Sequence, residues 1–348
     1  MKRLLILLLA LMPQVARATD FRGSQFIGFS NFSSFKKESS VLTSPTIDPA
    51  IAWDELVLSW NVRGTNQASF AVRLVYPDTA TKWYEMGAWS IAGRHSVNGQ
   101  DDSNAKVETD TLHALRPGAK IEVHVTFENG IPDDLKFLSI ALRDSKAVPP
   151  LLEPNRHAWG KVIDVGTRSQ LDYPEGAKIW CSPTSSSMIL DYWSHKLNRP
   201  EMEMTVPEVA HAVYDSVYKG TGNWPCNTAL AGHFDGMRAY VSRLTDVSEL
   251  EDWIAAGIPI ATSVSYNRLK GKGTNGSGHL IVCVGFADNG DIIVNDPGTH
   301  LTNVRRNFSR DLFREAWADS GNTVYIVYPE AFVIPAARLG HWETKAIQ

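Results

Sequence analysis

The chain has 348 residues, 43% of them hydrophobic, which is more than one ordinary core accommodates and predicts two domains. A formal net charge of −4, spread without blocks of one sign, excludes the basic footprint of a nucleic-acid or membrane-surface binder. With three cysteines, at least one thiol per chain is unpaired unless two chains are linked.

The first residues, MKRLLILLLALMPQVARATD, combine a basic start, an apolar run from Leu4 to Met12 and small residues at Ala16 and Ala18. This predicts a signal peptide over 1–18, cleaved before Thr19, and a secreted or periplasmic protein. The apolar run is too short to span a bilayer, which disfavours the alternative of an anchor helix.

Over residues 19–145 the dominant period is two. ELVLSWNV puts Leu56, Leu58, Trp60 and Val62 on one face, and SFAVRLVY, KIEVHVTF and FLSIALRD repeat the pattern. Half-buried strands separated by turn residues predict an all-β accessory domain, an antiparallel sandwich or jelly roll. Residues 146–160, KAVPPLLEPNRHAWG, carry three prolines and read as an extended linker. Residues 161–335 then alternate helical and strand patterns, an α+β domain, before a tail over 336–348. Its signals include a helix opening near Pro183, capping-box spacing in TVPE, and a helix stop at Gly257. A hairpin turn at Asp288, Asn289 and Gly290 joins HLIVCVGF to DIIVNDP.

Cys181 precedes a proline and a run of small hydroxyl residues that open an amphipathic helix. At a helix N-terminus its sulfur faces free amides and the positive end of the helix dipole, which favour thiolate over thiol. A nucleophile of this kind needs a histidine. His95, His124, His195, His211 and His341 have structural readings, whereas His279 begins an apolar strand behind the glycine-rich GTNGSG. Asp296 ends the next strand and has the parity to share a face with His279, so it can fix the imidazole. A perfect two-residue loop would pair Asp296 with Cys283, so a bulge or a bend at Asp296–Pro297 must close the gap. Gln170, upstream of Cys181, can join the Cys181 N–H in holding an oxyanion. Each also has a plainer reading: a strand-end histidine, a turn aspartate, a solvated glutamine. Whether Cys226 pairs with Cys283 is left open.

Taken together, SQLDYPEGAKIWCSPTSSSMILDYW and SGHLIVCVGFADNGDIIVNDP resemble the thirty-ninth family of cysteine peptidases, the papain-like group of bacteriocin-processing enzymes, in its secreted stand-alone branch. The resemblance runs from about Asp164 to Pro329, and more weakly into the β half through KWYEMGAWS. It implies a papain-like cysteine peptidase domain with the nucleophile at Cys181, the base at His279, its orienting acid at Asp296 and the oxyanion glutamine at Gln170. Ser182 stands where the family has glycine. The expected activity is hydrolysis of peptide bonds in a peptide or protein substrate, with no cofactor and no metal. Two alternatives remain: amidase or acyl-transfer action on cell-wall peptides at the same site, and an inactive envelope- or glycan-binding protein using Trp53, Trp60, Trp83 and Trp89. Oligomeric state is not legible. The oxygen-rich NGQDDSN lacks calcium-loop spacing, and the scattered histidines match no zinc motif.

Overall fold

The structure, a computed structural model, describes residues 20–129, 134–273 and 278–344. The expected signal peptide, most of the GTNGSG approach and the end of the tail lie outside the described residues. Eleven strands come first: β1 (Ser24–Phe29), β2 (Lys36–Glu38), β3 (Val41–Thr43), β4 (Glu55–Val62), β5 (Ala68–Val75), β6 (Tyr84–Trp89), β7 (Arg94–His95), β8 (Ala105–Glu108), β9 (Thr111–Ala114), β10 (Lys120–Phe127) and β11 (Leu135–Arg143). They form two antiparallel sheets, β1-β11-β4-β9-β8 and β2-β3-β10-β5-β6-β7. The inner faces meet where Trp60 of one stacks on Phe70 of the other, ring centroids 4.1 Å apart.

The second part contains α1 (Cys181–Leu197), α2 (Val206–Val213), α3 (Trp224–His233), β12 (Met237–Arg243), α4 (Val247–Ala255), β13 (Ile260–Ser265), α5 (Tyr266–Leu269), β14 (Gly278–Phe286), β15 (Ile292–Asn295), β16 (Arg305–Phe308), α6 (Arg310–Ala318) and β17 (Thr323–Pro329). Its six strands make one antiparallel sheet, β12-β17-β13-β14-β15-β16. Local signals account for the helix ends. Thr205 and Glu208 form a capping box at α2, Asp246 and Glu249 another at α4, and Gly257 at φ +79° follows the end of α4 in the left-handed region.

The two parts share a core. Both faces of β4 are buried, not one, because α3 and β12 cover the side that alternation would leave to solvent. The consequence is a set of buried polar contacts. Asn61 on β4 donates from Nδ2 to the Ala239 carbonyl (2.6 Å) and accepts from the Ala239 N–H (3.1 Å), while Ser59 Oγ accepts from the Val241 N–H (3.0 Å). Lys136 Nζ donates to the Gly232, Phe234 and Met237 carbonyls, at 2.9, 2.7 and 3.4 Å. Backbone groups that face outward from β12, and the end of α3, are thereby satisfied by side chains of the first part.

The packing bears on four of these readings. The stretch 146–160 is tied to the second part: Leu152 N donates to Asp246, Asn155 N and Trp159 Nε1 donate to Glu251, and residues Arg156–Ala158 form a 3-10 turn. Acceptors on α4 therefore hold the prolyl segment. The tail is equally fixed, since Trp342 is buried and His341 bridges Glu249 Oε1 (2.6 Å) and the Phe21 carbonyl (2.7 Å). Cys226 and Cys283 do not pair; both are free and buried, one in α3 and the other in β14. Trp53, Trp60 and Trp89 are core residues, so they present no aromatic binding surface. Only Trp83 of that group is partly exposed, with Arg73 over its ring at 4.7 Å.

Candidate active site

Helix α1 opens without a side-chain cap: Trp180 occupies the cap position and offers no acceptor to the first turn. Its free N–H groups thus point toward the Cys181 end. The helix is not simply amphipathic, because every residue from Ser182 to Leu190 is buried. That is the use of the hydroxyl run. Small side chains let α1 press against the central sheet, and two of their hydroxyls find partners there: Ser185 Oγ donates to the Leu280 carbonyl (3.0 Å), and Ser182 Oγ lies 2.9 Å from Tyr325 Oη. The Ser185 bond fixes the helix to β14 one residue beyond His279.

Cys181 is partly exposed. Burial pushes its thiol up, but hydrogen bonding and the charge of His279, with the N–H groups of Leu280 and Ser182, outweigh this, and the pKa falls below its ordinary value. Desolvation also opposes charge on His279. Hydrogen bonds to Asp296 and Cys181 and their negative charges overcome it, and the imidazole pKa is raised to about 9. His279 Nε2 donates to Asp296 Oδ1 at 2.7 Å, which leaves Nδ1 for Cys181. Each group thus favours the charged form of the other, thiolate and imidazolium.

Asp296 is fully buried, yet its pKa is lowered: desolvation, which raises it, is outweighed by His279, the Gly298 N–H and Arg306. Gly298 N donates to Oδ1 (2.9 Å) and Arg306 Nη1 to Oδ2 (2.9 Å). The register explains how Asp296 reaches the imidazole. A bulge between Cys283 and Gly285 leaves Val282 opposite Asn295, so the same register carried forward sets His279 across from Gly298. The turn at Asp296–Pro297–Gly298 curls back over the ring. A Cβ at Gly298 would lie 3.0 Å from His279 Cε1 and 2.8 Å from Tyr266 Oη. On the ring's face, Tyr266 packs at 4.0 Å between centroids, its hydroxyl donating to the Gly298 carbonyl (3.0 Å).

Gln170 is joined to the same turn. Its N–H donates to the Pro297 carbonyl (3.0 Å), and neighbouring Ser169 Oγ donates to the Thr299 carbonyl (2.6 Å). The Gln170 side chain is buried; Nε2 donates to the Ala177 carbonyl (2.8 Å) and Oε1 has no partner. One amide proton remains uncommitted. The structure therefore brings Cys181, His279 and Asp296 into one chain of contacts and places Gln170 on the segment bound to Asp296's turn. Sequence reasoning missed Tyr266, Gly298 and Arg306. The glycine after Asp-Pro was a usable signal, while nothing local marks the other two.

Cavities flank this chain on two sides. One, of about 520 Å³, is lined by Cys181, Leu280, Gly278, Ile179, Tyr218 and the β8–β9 turn among others. The other, of about 580 Å³, is lined by Leu171, Gly298, Thr299, His300, Arg305 and Arg306 among others. Among the described residues, the group able to hold a metal ion is Asp191, His195 and Glu203. Asp191 is ten residues along α1 from Cys181, about 15 Å away at the helical rise, so that cluster is separate from the sulfur. No helix among the described residues is long and apolar enough to cross a membrane.

Family models point to a hydrolase of the cysteine-peptidase class. Residues 162–325 match the model of the Peptidase C39-like family, and residues 31–129 match that of the Peptidase C39 N-terminal domain. The second part of the chain is thus similar to the Peptidase C39-like family. No curated protein matches it. Among solved structures, a C39-like peptidase from Bacillus anthracis aligns at 18% identity over 48% of this chain and 97% of that one, with a TM-score of 0.37. Xylanase 10B modules from Clostridium thermocellum align at 10% identity over 43% of this chain and 31% of the other, with a TM-score of 0.18.

Proposed function

We propose that the protein is a secreted thiol hydrolase that cleaves peptide bonds. Cys181 attacks the carbonyl carbon, and His279 gives its proton to the leaving amine. Asp296 holds the imidazole, and the Cys181 N–H with the free Gln170 amide proton receives the oxyanion. A water then takes the place of the amine, and His279 accepts its proton as the acyl–sulfur bond breaks. The observation that carries this reading is the buried Asp296–His279 bond of 2.7 Å ending at a sulfur whose pKa is lowered. A scaffold that had lost turnover would have no use for an imidazolium maintained against burial. Secretion rests on the sequence of residues 1–18 alone. The test is Cys181→Ala in the full chain: peptide hydrolysis and labelling by iodoacetamide should disappear together, and hydrolysis that survives moves the activity elsewhere.

A further inference from the structure

The cavity beside Cys181 is not built by residues 161–335 alone. Glu108, Thr109 and Asp110, the turn between β8 and β9 in the first part of the chain, line it together with Cys181, Tyr218, Lys219, Gly220 and Gly222. This turn is anchored. Asp110 is buried, and its Oδ2 accepts from the Trp224 N–H at the start of α3 (2.9 Å). Facing it, the 215–222 loop hangs on the fully buried Asp215, whose Oδ1 accepts from Val217 N and Tyr218 N, both at 2.9 Å. Asp215 Oδ2 in turn accepts from Ser96 N of the first part (3.0 Å) and from Asn223 Nδ2 (2.8 Å). Both walls are thus positioned by residues of the β half.

The backbone adds a second observation. Among the described residues, six non-glycine positions have positive φ, and two of them, Thr109 (+56°) and Lys219 (+55°), line this one cavity. Thr109 is the first residue of a two-residue hairpin loop, since Glu108 pairs with Thr111. Such a position suits glycine or asparagine, and a β-branched residue there is strained by about 1–3 kcal/mol. Strain of that kind persists where the surroundings fix it, and here Asp110 and Trp224 do so. Burial, then the negative charges of Asp110 and Cys181, push the Tyr218 phenol up, so its hydroxyl is within electrostatic reach of both the turn and the sulfur.

We propose that the β half is part of the substrate cleft and that Thr109, at the tip of its β8–β9 turn, is a specificity-determining residue that limits the side chains of a peptide acylating Cys181. The wall is pre-positioned and does not close over the substrate, because Asp110 is already bonded to the start of α3, and Ser96 of the same β half to Asp215. The proposal rests on Cys181 being the nucleophile.

The experiment uses the full chain and two tripeptidyl chloromethyl ketones, one all alanine and one with phenylalanine at the two positions before the warhead. Alkylation of Cys181 is followed by mass. In Thr109→Trp the phenylalanine probe should slow about tenfold relative to the alanine probe, in the range of steric discrimination by a pocket wall. In Thr109→Gly, which takes positive φ without strain and guards against misfolding of the larger variant, the ratio should move the other way. An unchanged ratio in both variants, with Cys181 still labelled by iodoacetamide, overturns the proposal. Loss of iodoacetamide labelling from the unaltered protein overturns the underlying nucleophile reading instead.

Discussion

Replacing Asp296 by asparagine keeps an oxygen for the His279 Nε2–H and for the Gly298 N–H but removes the charge. Hydrogen bonding to Asp296 is the largest of the influences that raise His279, which stands at about 9 against an ordinary 6.5 and so favours imidazolium by about 3 kcal/mol. The sign follows from linkage: a raised imidazole contributes stability that is fully present below pH 6.5 and is lost as pH rises through about 9. In Asp296→Asn most of that contribution goes, and Arg306, 2.9 Å from the former carboxylate, adds repulsion. The thiolate loses its partner with it. The assay is the pH dependence of iodoacetamide alkylation of Cys181 and of peptide hydrolysis. The alkaline limb of hydrolysis should fall from near 9 by about two pH units, and the alkylation rate near pH 6.5 should drop at least about tenfold. Cys181, Asp296, Arg306 and Tyr266 are the ionisable groups around the ring, so Arg306→Gln serves as the companion variant and should leave the limb high. A limb that stays near 9 in Asp296→Asn refutes the electrostatic role given to the carboxylate.

Three further outcomes are expected. Native protein should take up iodoacetamide at Cys181 alone, because Cys226 and Cys283 are buried with raised pKa values, Cys283 to about 12; all three should label in denaturant, and native labelling at either buried site would contradict the packing. Gly298→Ala should lower kcat by about 10²-fold with little change in KM, since the added Cβ drives into His279 and Tyr266; an unaltered kcat means that the ring tolerates displacement. Asn61→Ala should cost about 3 kcal/mol by leaving the Ala239 N–H and carbonyl unpaired, read as a lower urea midpoint at constant slope, and a loss below about 0.5 kcal/mol would show that water replaces the amide.

Much of this was legible because it is local. The alternation in ELVLSWNV, SFAVRLVY, KIEVHVTF and FLSIALRD located β4, β5, β10 and β11, and the cap signals in TVPE and at Gly257 located helix ends. The two- to four-residue strands β2, β3, β7, β8 and β9 are too short to show a period. Strand β12, MRAYVSR, is buried at every position although it carries two arginines, so no alternation marks it. At the site, the parity of His279 and Asp296 was readable, as was the need for a bulge or bend, because both follow from counting along a hairpin. The place of that bulge, at Cys283–Gly285, depends on Lys161 and Val162 crossing over Gly285. Tyr266 and Arg306 reach the imidazole and its carboxylate only through tertiary packing. The second buried face of β4 was invisible for the same reason, since the residues that cover it lie more than 160 positions later.

The outward side of β12 has a consequence for how copies of this chain meet. A terminal strand normally presents bare amides and carbonyls to any extended segment that drifts past. Here successive positions, Met237, Ala239 and Val241, are already engaged by Lys136, Asn61 and Ser59, and the opposite terminal strand, β16, carries Arg305 and Arg306. Neither margin offers a clean template for strand addition, so the sheet is self-limiting.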